Sequence, residues 1–488
     1  LTNGGPQTAN RAGFGVTECA GTNGSVHGHS VFFRHGAMKA GLRFSGEAFF
    51  VMQTGHRIDC GEAGEMGKPF YKIIEVTDYG PFVVKVVLPV GVPVKAGAVD
   101  RGGFSVYVER KDPYGHVLML PKSWTERGVL VPSRGHVTVL DAYPSDLDGT
   151  RRDEGPCVTL ELEYGPGRSL TAEIAPIGTV NRYVFCDYRI TQTADIDTAE
   201  GTVSGLVFDR CAGGAMKQAE GFLHGVSTFG EPLKHGYFVP QTGGGKRPLI
   251  VWLHGAGEGG DDPRIAYTGN KVVNLASPGI QAKFGGAYVL VPQAPTFWMD
   301  DGSGTYGRSG KSRYAKALKA LIDEFIEKNE TGIDRNRIYI GGCSNGGFMT
   351  MRMIIDYADF FAAAFPVCEA LYDEVIRDEQ IEAIRHMPIW FVHAKNDAIV
   401  KPEETSVPTY HRLIRAGAKN VHFTFFDRVV DLHGTFRDEN GRPYEYDGHF
   451  AWIHVLNDDC RIDFDGRPVV ADGREVTLFD WLALQRKG

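Results

Sequence analysis

The residue types that could do chemistry concentrate in Gly341-Gly342-Cys343-Ser344-Asn345-Gly346-Gly347, which contains G-x-S-x-G after an apolar run at 337–340 and before a segment with helical spacing. A serine on such a strand-to-helix turn is held with a strained backbone, and glycines two positions to either side let strand and helix approach without a side-chain clash. Its hydroxyl is exposed at the positive end of the helix, where it can act as a nucleophile. The bare pattern also occurs in phosphate-binding turns and plain loops. The strand before it and the helix after it select the nucleophile, Ser344.

A serine hydroxyl reacts poorly near neutral pH without a base, and that base needs a carboxylate to orient it. Along the chain the order expected with this turn is serine, acid, histidine. The apolar run 388–392 leads into His393-Ala394-Lys395-Asn396-Asp397, so Asp397 falls in a loop at a strand's carboxyl end and is the acid candidate. An ordinary capping aspartate is the bland alternative, and Glu369, also just past a strand end, competes. Among the later histidines, His411 falls in a predicted helix and His422 in a predicted strand. His449, in Gly448-His449-Phe450-Ala451-Trp452, has a glycine to free its backbone and an indole to wall off solvent. It is the base candidate, with His433 in reserve.

An oxyanion needs preorganised donors, usually backbone N–H groups. Leu253-His254-Gly255-Ala256-Gly257-Glu258-Gly259-Gly260 follows a buried strand and supplies a turn whose amides can face inward. Ala256 and Asn345 are the expected donors and Gly257 is the alternative; His254 reads as a brace for the loop. Thr296-Phe297-Trp298-Met299, Trp452 and the stretch 444–446 offer an apolar wall for an acyl or aromatic group. Trp298 and Trp452 are the substrate-binding candidates, with core packing the competing reading.

These residues need a scaffold. Apolar runs at 248–254, 287–292, 337–341, 360–367 and 388–394 read as strands buried on both faces. Between them lie helical patterns: 313–328 places Tyr314, Leu318, Leu321, Ile322 and Phe325 at three- and four-residue steps, and 346–357 and 403–416 follow. The alternation predicts a mostly parallel sheet flanked by helices, with ligands beyond the strands' carboxyl ends. Upstream, seven short alternating or β-branched runs between 71 and 192, punctuated by Gly, Pro, Asp and Asn, predict an all-β immunoglobulin-like sandwich, with another small β-barrel as the alternative. The expected division is a glycine-rich segment at 1–68 whose runs at 31–33 and 48–52 suit extra strands, a sandwich at 69–196, a linker at 197–215 and a second domain at 216–488.

Composition bounds the rest. A chain of 488 residues that is 42% apolar and 11% aromatic can pack cores, and its length implies two or three domains. With 52 basic against 60 acidic residues and no basic run, nucleic acid is excluded as a partner. No apolar stretch approaches the roughly 18–20 residues of a transmembrane helix, so no membrane partner is expected. The 8 cysteines are scattered without CxxC or metal-ligand spacing, so no metal is expected, while packed thiols and one or two disulfides both stay open. Cys157 and Cys186 fall on predicted strands, but no Trp separates them as in antibody domains, and no bridge is assigned. The chain begins at Leu1, which suggests a processed or truncated start, and a removed signal peptide would be one cause. A secreted or periplasmic location is favoured over a cytoplasmic one.

Taken together, Leu253-His254-Gly255-Ala256-Gly257-Glu258, the Ser344 turn, Asp397 and His449 resemble an α/β-hydrolase serine esterase. More narrowly, 216–488 resembles the bacterial branch related to polyhydroxybutyrate depolymerases and feruloyl esterases, some of whose members carry an N-terminal immunoglobulin-like domain. The resemblance implies hydrolysis of small-molecule or polymeric carboxylic esters, of feruloyl or polyester type, through an acyl-serine and without a cofactor. Two features depart from that branch: Cys343 stands where an aliphatic residue is common, and a long insertion at 431–447 precedes His449. Tannase-like esterases pair a cysteine beside the serine with one beside the histidine, but Gly448 and Phe450 flank His449, so Cys343 reads as a packed thiol. The alternatives are a serine peptidase of prolyl-oligopeptidase type and a catalytically silent binding protein. No propeller-like repeat occurs in 1–215 to favour the first, and a complete triad in order argues against the second.

Overall fold

The computed structural model describes residues 67–122, 128–167, 169–241 and 244–487, all within one compact unit, Ala63–Gly488. Apart from positions 67 and 68, the segment 1–68 lies outside the described residues, and with it Cys19, Cys60 and the runs expected to add strands. The other six cysteines are free thiols. No helix among the described residues is long and apolar enough to cross a membrane.

The N-terminal part is built from strands β1 (Lys68–Thr77), β2 (Gly80–Lys95), β3 (Phe104–Lys111), β4 (Arg134–Val137), β5 (Val139–Ser145), β6 (Glu154–Leu162), β7 (Ile174–Ile177), β8 (Val180–Tyr183), β9 (Phe185–Gln192) and β10 (Val207–Ala215). Side chains alternate as a half-buried strand requires: Phe104, Val106 and Val108 of β3 point inward while their neighbours are half-exposed. Eight strands are hydrogen-bonded in the order β4-β3-β9-β10-β1-β2-β6-β5, antiparallel except for β1 with β10. The edge strand β5 returns against β3, so inward residues such as Phe70, Val86, Val108, Leu160, Ile190 and Phe208 close into one core. Strands β7 and β8 pair only with each other, as a separate hairpin.

The stretch 197–215 is not a linker. Its last nine residues are β10, which sits between β1 and β9 in the middle of the sheet. Gly213 and Gly214 pair with Tyr71 and Lys72 next to a register shift. Glycine inside a strand marks such irregularities as readily as it marks a turn.

The second part contains β11 (Phe222–Val226), β12 (Lys234–Phe238), β13 (Arg247–Leu253), β14 (Tyr288–Pro292), β15 (Ile333–Cys343), β16 (Ala363–Val367), β17 (Ile389–Ala394) and β18 (Val421–Phe426). Its helices are α1 (Pro263–Thr268), α2 (Pro278–Phe284), α3 (Ala315–Lys328), α4 (Asn345–Asp356), α5 (Asp378–Ile384), α6 (Ser406–Arg415), α7 (Trp452–Leu456) and α8 (Leu478–Leu484). The sheet order is β11-β12-β14-β13-β15-β16-β17-β18, parallel from β14 onward, with β11 and β12 added antiparallel at one edge. Continuous apolar strands are what a sheet covered on both faces needs, and β16 and β17 are buried throughout. Leu318, Ile322 and Phe348 of α3 and α4 pack on one face, and Phe284 and Phe479 of α2 and α8 pack on the other.

The two parts are joined by specific contacts. At the β1–β2 turn, the Asp78 carboxylate accepts from Lys271 Nζ (3.1 Å), Asn457 Nδ2 (3.0 Å) and the Tyr446 hydroxyl (3.1 Å). Beside it, the Tyr79 ring lies 5.5 Å from Tyr446 and 6.2 Å from Phe450. The insertion 431–447 is thereby packed against the immunoglobulin-like part.

Candidate active site

Strand β15 ends at Cys343, α4 starts at Asn345, and Ser344 between them has φ 56° and ψ −113°, a conformation that costs a non-glycine residue energy. The neighbouring glycines are sterically required: a Cβ on Gly346 would lie 1.9 Å from the Leu253 carbonyl oxygen, and one on Gly342 would lie 2.5 Å from it. The Ser344 N–H donates to the Val367 carbonyl (2.9 Å), which ties the turn to the end of β16. This is the strand–turn–helix geometry that presents a serine hydroxyl.

Ser344 Oγ lies 2.9 Å from His449 Nε2, and His449 Nδ1 lies 2.7 Å from Asp397 Oδ2. A carboxylate only accepts, so Nδ1 carries the proton and Nε2 is free to accept from the serine hydroxyl. Asp397 follows β17, and its Oδ1 accepts from the Ile399 and Val400 N–H groups (2.8 and 2.9 Å). Burial opposes ionisation of Asp397, but hydrogen bonds from His393 and His449 outweigh it and hold the carboxyl well below the usual range. His449 follows Gly448, at which a Cβ would stand 2.6 Å from the Asn396 carbonyl, so only glycine lets the histidine loop approach the acid loop.

His393 is a residue that sequence reasoning missed. Fully buried, its Nε2 faces Asp397 Oδ2 and the Val400 carbonyl at 3.0 Å each, both acceptors, so Nε2 carries the proton and Nδ1 accepts from the Ser406 hydroxyl (2.7 Å). A polar residue ending a buried strand four positions before Asp397 was the available signal. Cys368 is another. Its thiol lies within 4.8 Å of donor atoms of Asp397 and His449. Burial drives that thiol far up, which keeps it protonated. Among the described residues these three come nearest to a metal-ligand set, yet the imidazole already spends both nitrogens on Asp397 and Ser344.

The competing residues lie elsewhere. Half-exposed His433 bonds to Asp459 (3.1 Å). Glu369 is fully buried and accepts from the Leu371 N–H (2.8 Å). His254 Nε2 accepts from the Ala294 N–H (3.0 Å) while Nδ1 donates to the Gly255 carbonyl (2.6 Å), and burial lowers its pKa to about 4, so it is a neutral brace.

Ala256 opens the short turn Ala256–Glu258, and Asn345 is the first residue of α4. N–H groups at such starts have no acceptor within their own helix and are free for an incoming anion. A Cβ on Gly255 would be 3.6 Å from Cys343 Sγ, so this turn lies directly against the serine turn. A Cβ on Gly257 in the same turn would stand 3.1 Å from Asn181 Nδ2.

The two tryptophans are placed differently from an open wall. Trp298 is 0% exposed, its ring lying against His254 and Tyr314 and its backbone N–H donating to Asn345 Oδ1. It belongs to the core behind the site. Trp452 stands edge-on to His449 at 5.4 Å and shields that ring. Tyr446 is turned to Asp78. The more accessible aromatic pair beside the turn is Phe297 stacked on Tyr306 at 4.2 Å, the latter 57% exposed. Tyr306 lies within the glycine-rich stretch 300–310, where an isolated aromatic was its only mark.

Residues 70–205 match the family model of the esterase Ig-like N-terminal domain, and residues 237–429 match that of the phospholipase/carboxylesterase family. The chain thus carries an α/β-hydrolase domain preceded by an esterase-type Ig-like domain. This hydrolase is 31% identical over 135 residues to a poly(3-hydroxybutyrate) depolymerase of Ralstonia pickettii, covering 26% of this chain and 27% of that protein. It is 30% identical over 161 residues to poly(3-hydroxyalkanoate) depolymerase C of Paucimonas lemoignei, covering 30% of this chain and 34% of that protein. It therefore spans about a third or less of the length of these curated relatives. The crystal structure of a thermostable esterase has the same fold, with a TM-score of 0.64 at 24% identity over 86% of this chain and 99% of that one.

Proposed function

We propose that the protein is a serine carboxylesterase. The observation that carries the reading is the continuous hydrogen-bond chain from Ser344 through His449 to Asp397 on a strained turn. Ser344 Oγ attacks the ester carbonyl carbon while His449 Nε2 takes its proton, and Asp397 holds the imidazole in the tautomer that can do so. The negative charge that develops on the carbonyl oxygen is met by the Ala256 and Asn345 amides. Collapse expels the alcohol, protonated by His449, and leaves an acyl-Ser344. Water, deprotonated by the same histidine, then releases the acid.

Phe297 and Tyr306 offer an aromatic face beside the oxyanion turn, which suits aryl acyl groups or the repeating surface of a polyester. The two depolymerase relatives support the polyester side of this reading. A polymer supplied from outside the cell cannot cross a membrane, so a secreted location goes with that substrate, and a periplasmic one with ester fragments small enough to enter.

The test compares turnover of p-nitrophenyl esters, a methyl hydroxycinnamate, polyhydroxybutyrate film and peptide anilides. Esters should be cleaved, and Ser344→Ala should lower kcat by about 10⁴-fold or more. Faster cleavage of the anilides would replace the esterase by a peptidase. Undiminished turnover in Ser344→Ala would remove the serine mechanism altogether.

A further inference from the structure

The β7–β8 hairpin leaves the immunoglobulin-like core and reaches the hydrolase sheet's loops. Its base is firmly held. Arg110, 1% exposed, donates to the Ile174 carbonyl and to Ser133 Oγ, and the Lys72–Glu173 ion pair (2.9 Å) is largely buried next to it. The Glu173 N–H donates to the Pro81 carbonyl and the Val184 N–H to the Glu173 carbonyl, closing the hairpin onto β2.

Three consecutive side chains of β8 meet the hydrolase part. Arg182 pairs with Asp261 (3.1 Å) at the surface, and the Tyr183 hydroxyl bonds to Thr268 (2.9 Å). Asn181 does something else: its Nδ2 donates to Glu258 Oε1 (3.2 Å). Glu258 is the last residue of the turn Ala256–Glu258, its side chain is buried, and its carboxyl folds back over that turn, so that a Cβ on Gly255 would stand 2.9 Å from Oε2. From the interior, Gln293 Nε2 donates to the Glu258 carbonyl (2.9 Å) and His254 donates to the Gly255 carbonyl. The turn is thus gripped from inside by its own domain and from outside by Asn181.

We propose that Asn181 of the immunoglobulin-like domain is a positioning residue for ester hydrolysis: through Glu258 it fixes the turn whose Ala256 amide faces the oxyanion. This rests on the esterase reading. The physical need is plain, because a stretch with glycine at 255, 257, 259 and 260 is free to take many backbone conformations, whereas an oxyanion donor is effective only at the right distance and angle. A carboxyl laid over the turn restricts it, and a buried carboxyl stays in place only with hydrogen-bond partners. Asn181 is the partner supplied by the other domain. It touches neither Ser344 nor substrate; it acts through Glu258.

The experiment measures kcat and KM on a soluble aryl ester, together with the affinity of an aryl boronic acid, which becomes a tetrahedral anion on a catalytic serine and so reports the oxyanion donors. Asn181→Ala and Asn181→Asp should lower kcat by about 10- to 100-fold with KM changed less than about threefold, and should weaken boronate binding by the same factor as kcat. Arg182→Ala, which removes the neighbouring surface pair, should leave all three unchanged. In a Glu258→Ala background, which removes the acceptor, Asn181→Ala should add little, since the two act through one contact. Should Asn181→Ala lose its fold, Asn181→Ser puts the same question. Turnover within twofold of wild type, a kcat loss without loss of boronate affinity, an equal loss in Arg182→Ala, or full additivity with Glu258→Ala would each overturn the role. A wild-type protein that hydrolyses none of the esters would overturn the esterase reading and this role with it, whereas active wild type with equally active Asn181→Ala overturns the role alone.

Discussion

Asp397 and Glu369 lie in loops after neighbouring strands of one sheet, and their partners drive them in opposite directions. Asp397 has two imidazoles and two backbone amides on its oxygens and stays ionised. Glu369 has one amide and an unpartnered, buried Oε1, and burial pushes its pKa up to about 8. The folded protein therefore holds a proton on Glu369 that the unfolded chain, with a carboxyl near ~4.3, gives up. Across that window the folded state binds more protons than the unfolded one, so this group's contribution to stability is complete below about pH 4.3 and is lost as pH rises towards 8. Glu369→Gln should flatten the decline and stabilise the protein at pH 8 by on the order of 1–3 kcal/mol. Urea unfolding at pH 5 and pH 8 reads this directly, and identical pH slopes in variant and wild type would sink it. Ser344 and the order Ser344, Asp397, His449 were legible in the sequence because the spacing that marks them is local. The role of His393 was not, since only its distances to Asp397 and Ser406 give it one. Trp298 was misplaced for a related reason: an indole in a loop reads alike whether the chain turns it outward or buries it fully.

At the scale of elements, the serine turn works because β13, β15 and α4 approach more closely than any side chain allows. Gly346→Ala tests this. With a Cβ 1.9 Å from the Leu253 oxygen, α4 must shift away from β13, carrying the Asn345 amide with it. The expected cost is at least about 2–3 kcal/mol of stability, with ester turnover reduced more than tenfold even in the fraction that folds. Active-site titration with a fluorophosphonate counts that folded fraction, and wild-type turnover per titrated site would refute the expectation. The strands and helices of this region follow from periodicity, because continuous apolar runs fit buried parallel strands and the stepped residues of α3 fit one helical face. Strand β10 escaped, since Gly213, Gly214 and nearby polar residues carry no alternating pattern; its partner β1 lies some 140 positions earlier, and pairing supplies what local pattern lacks.

Across the whole molecule, the immunoglobulin-like domain grips the hydrolase at two places, the turn Ala256–Glu258 through β8 and the His449 loop through the β1–β2 turn. Asp78 is the hub of the second grip, with a side chain only 10% exposed and three donors from the hydrolase part. Asp78→Ala strands those donors and should destabilise the protein by about 2–3 kcal/mol, and should split a single calorimetric unfolding transition into two as the domains uncouple. An unchanged single transition would show that the aromatic contacts of Tyr79 suffice for coupling. By itself the sequence determined the hydrolase half, the turn that carries Ser344, the order Ser344, Asp397, His449 along the chain, and the presence of a β domain before it. These depend on motifs and periodicities carried by neighbouring residues. Only the tertiary structure decided that the β domain is part of the site's framework and that the insertion before His449 is packed against it. Those relations are made by single side chains, Asn181 on Glu258 and Asp78 on Tyr446, whose partners stand tens to hundreds of positions away, and a lone polar residue in a hairpin or turn shows no trace of what it will meet.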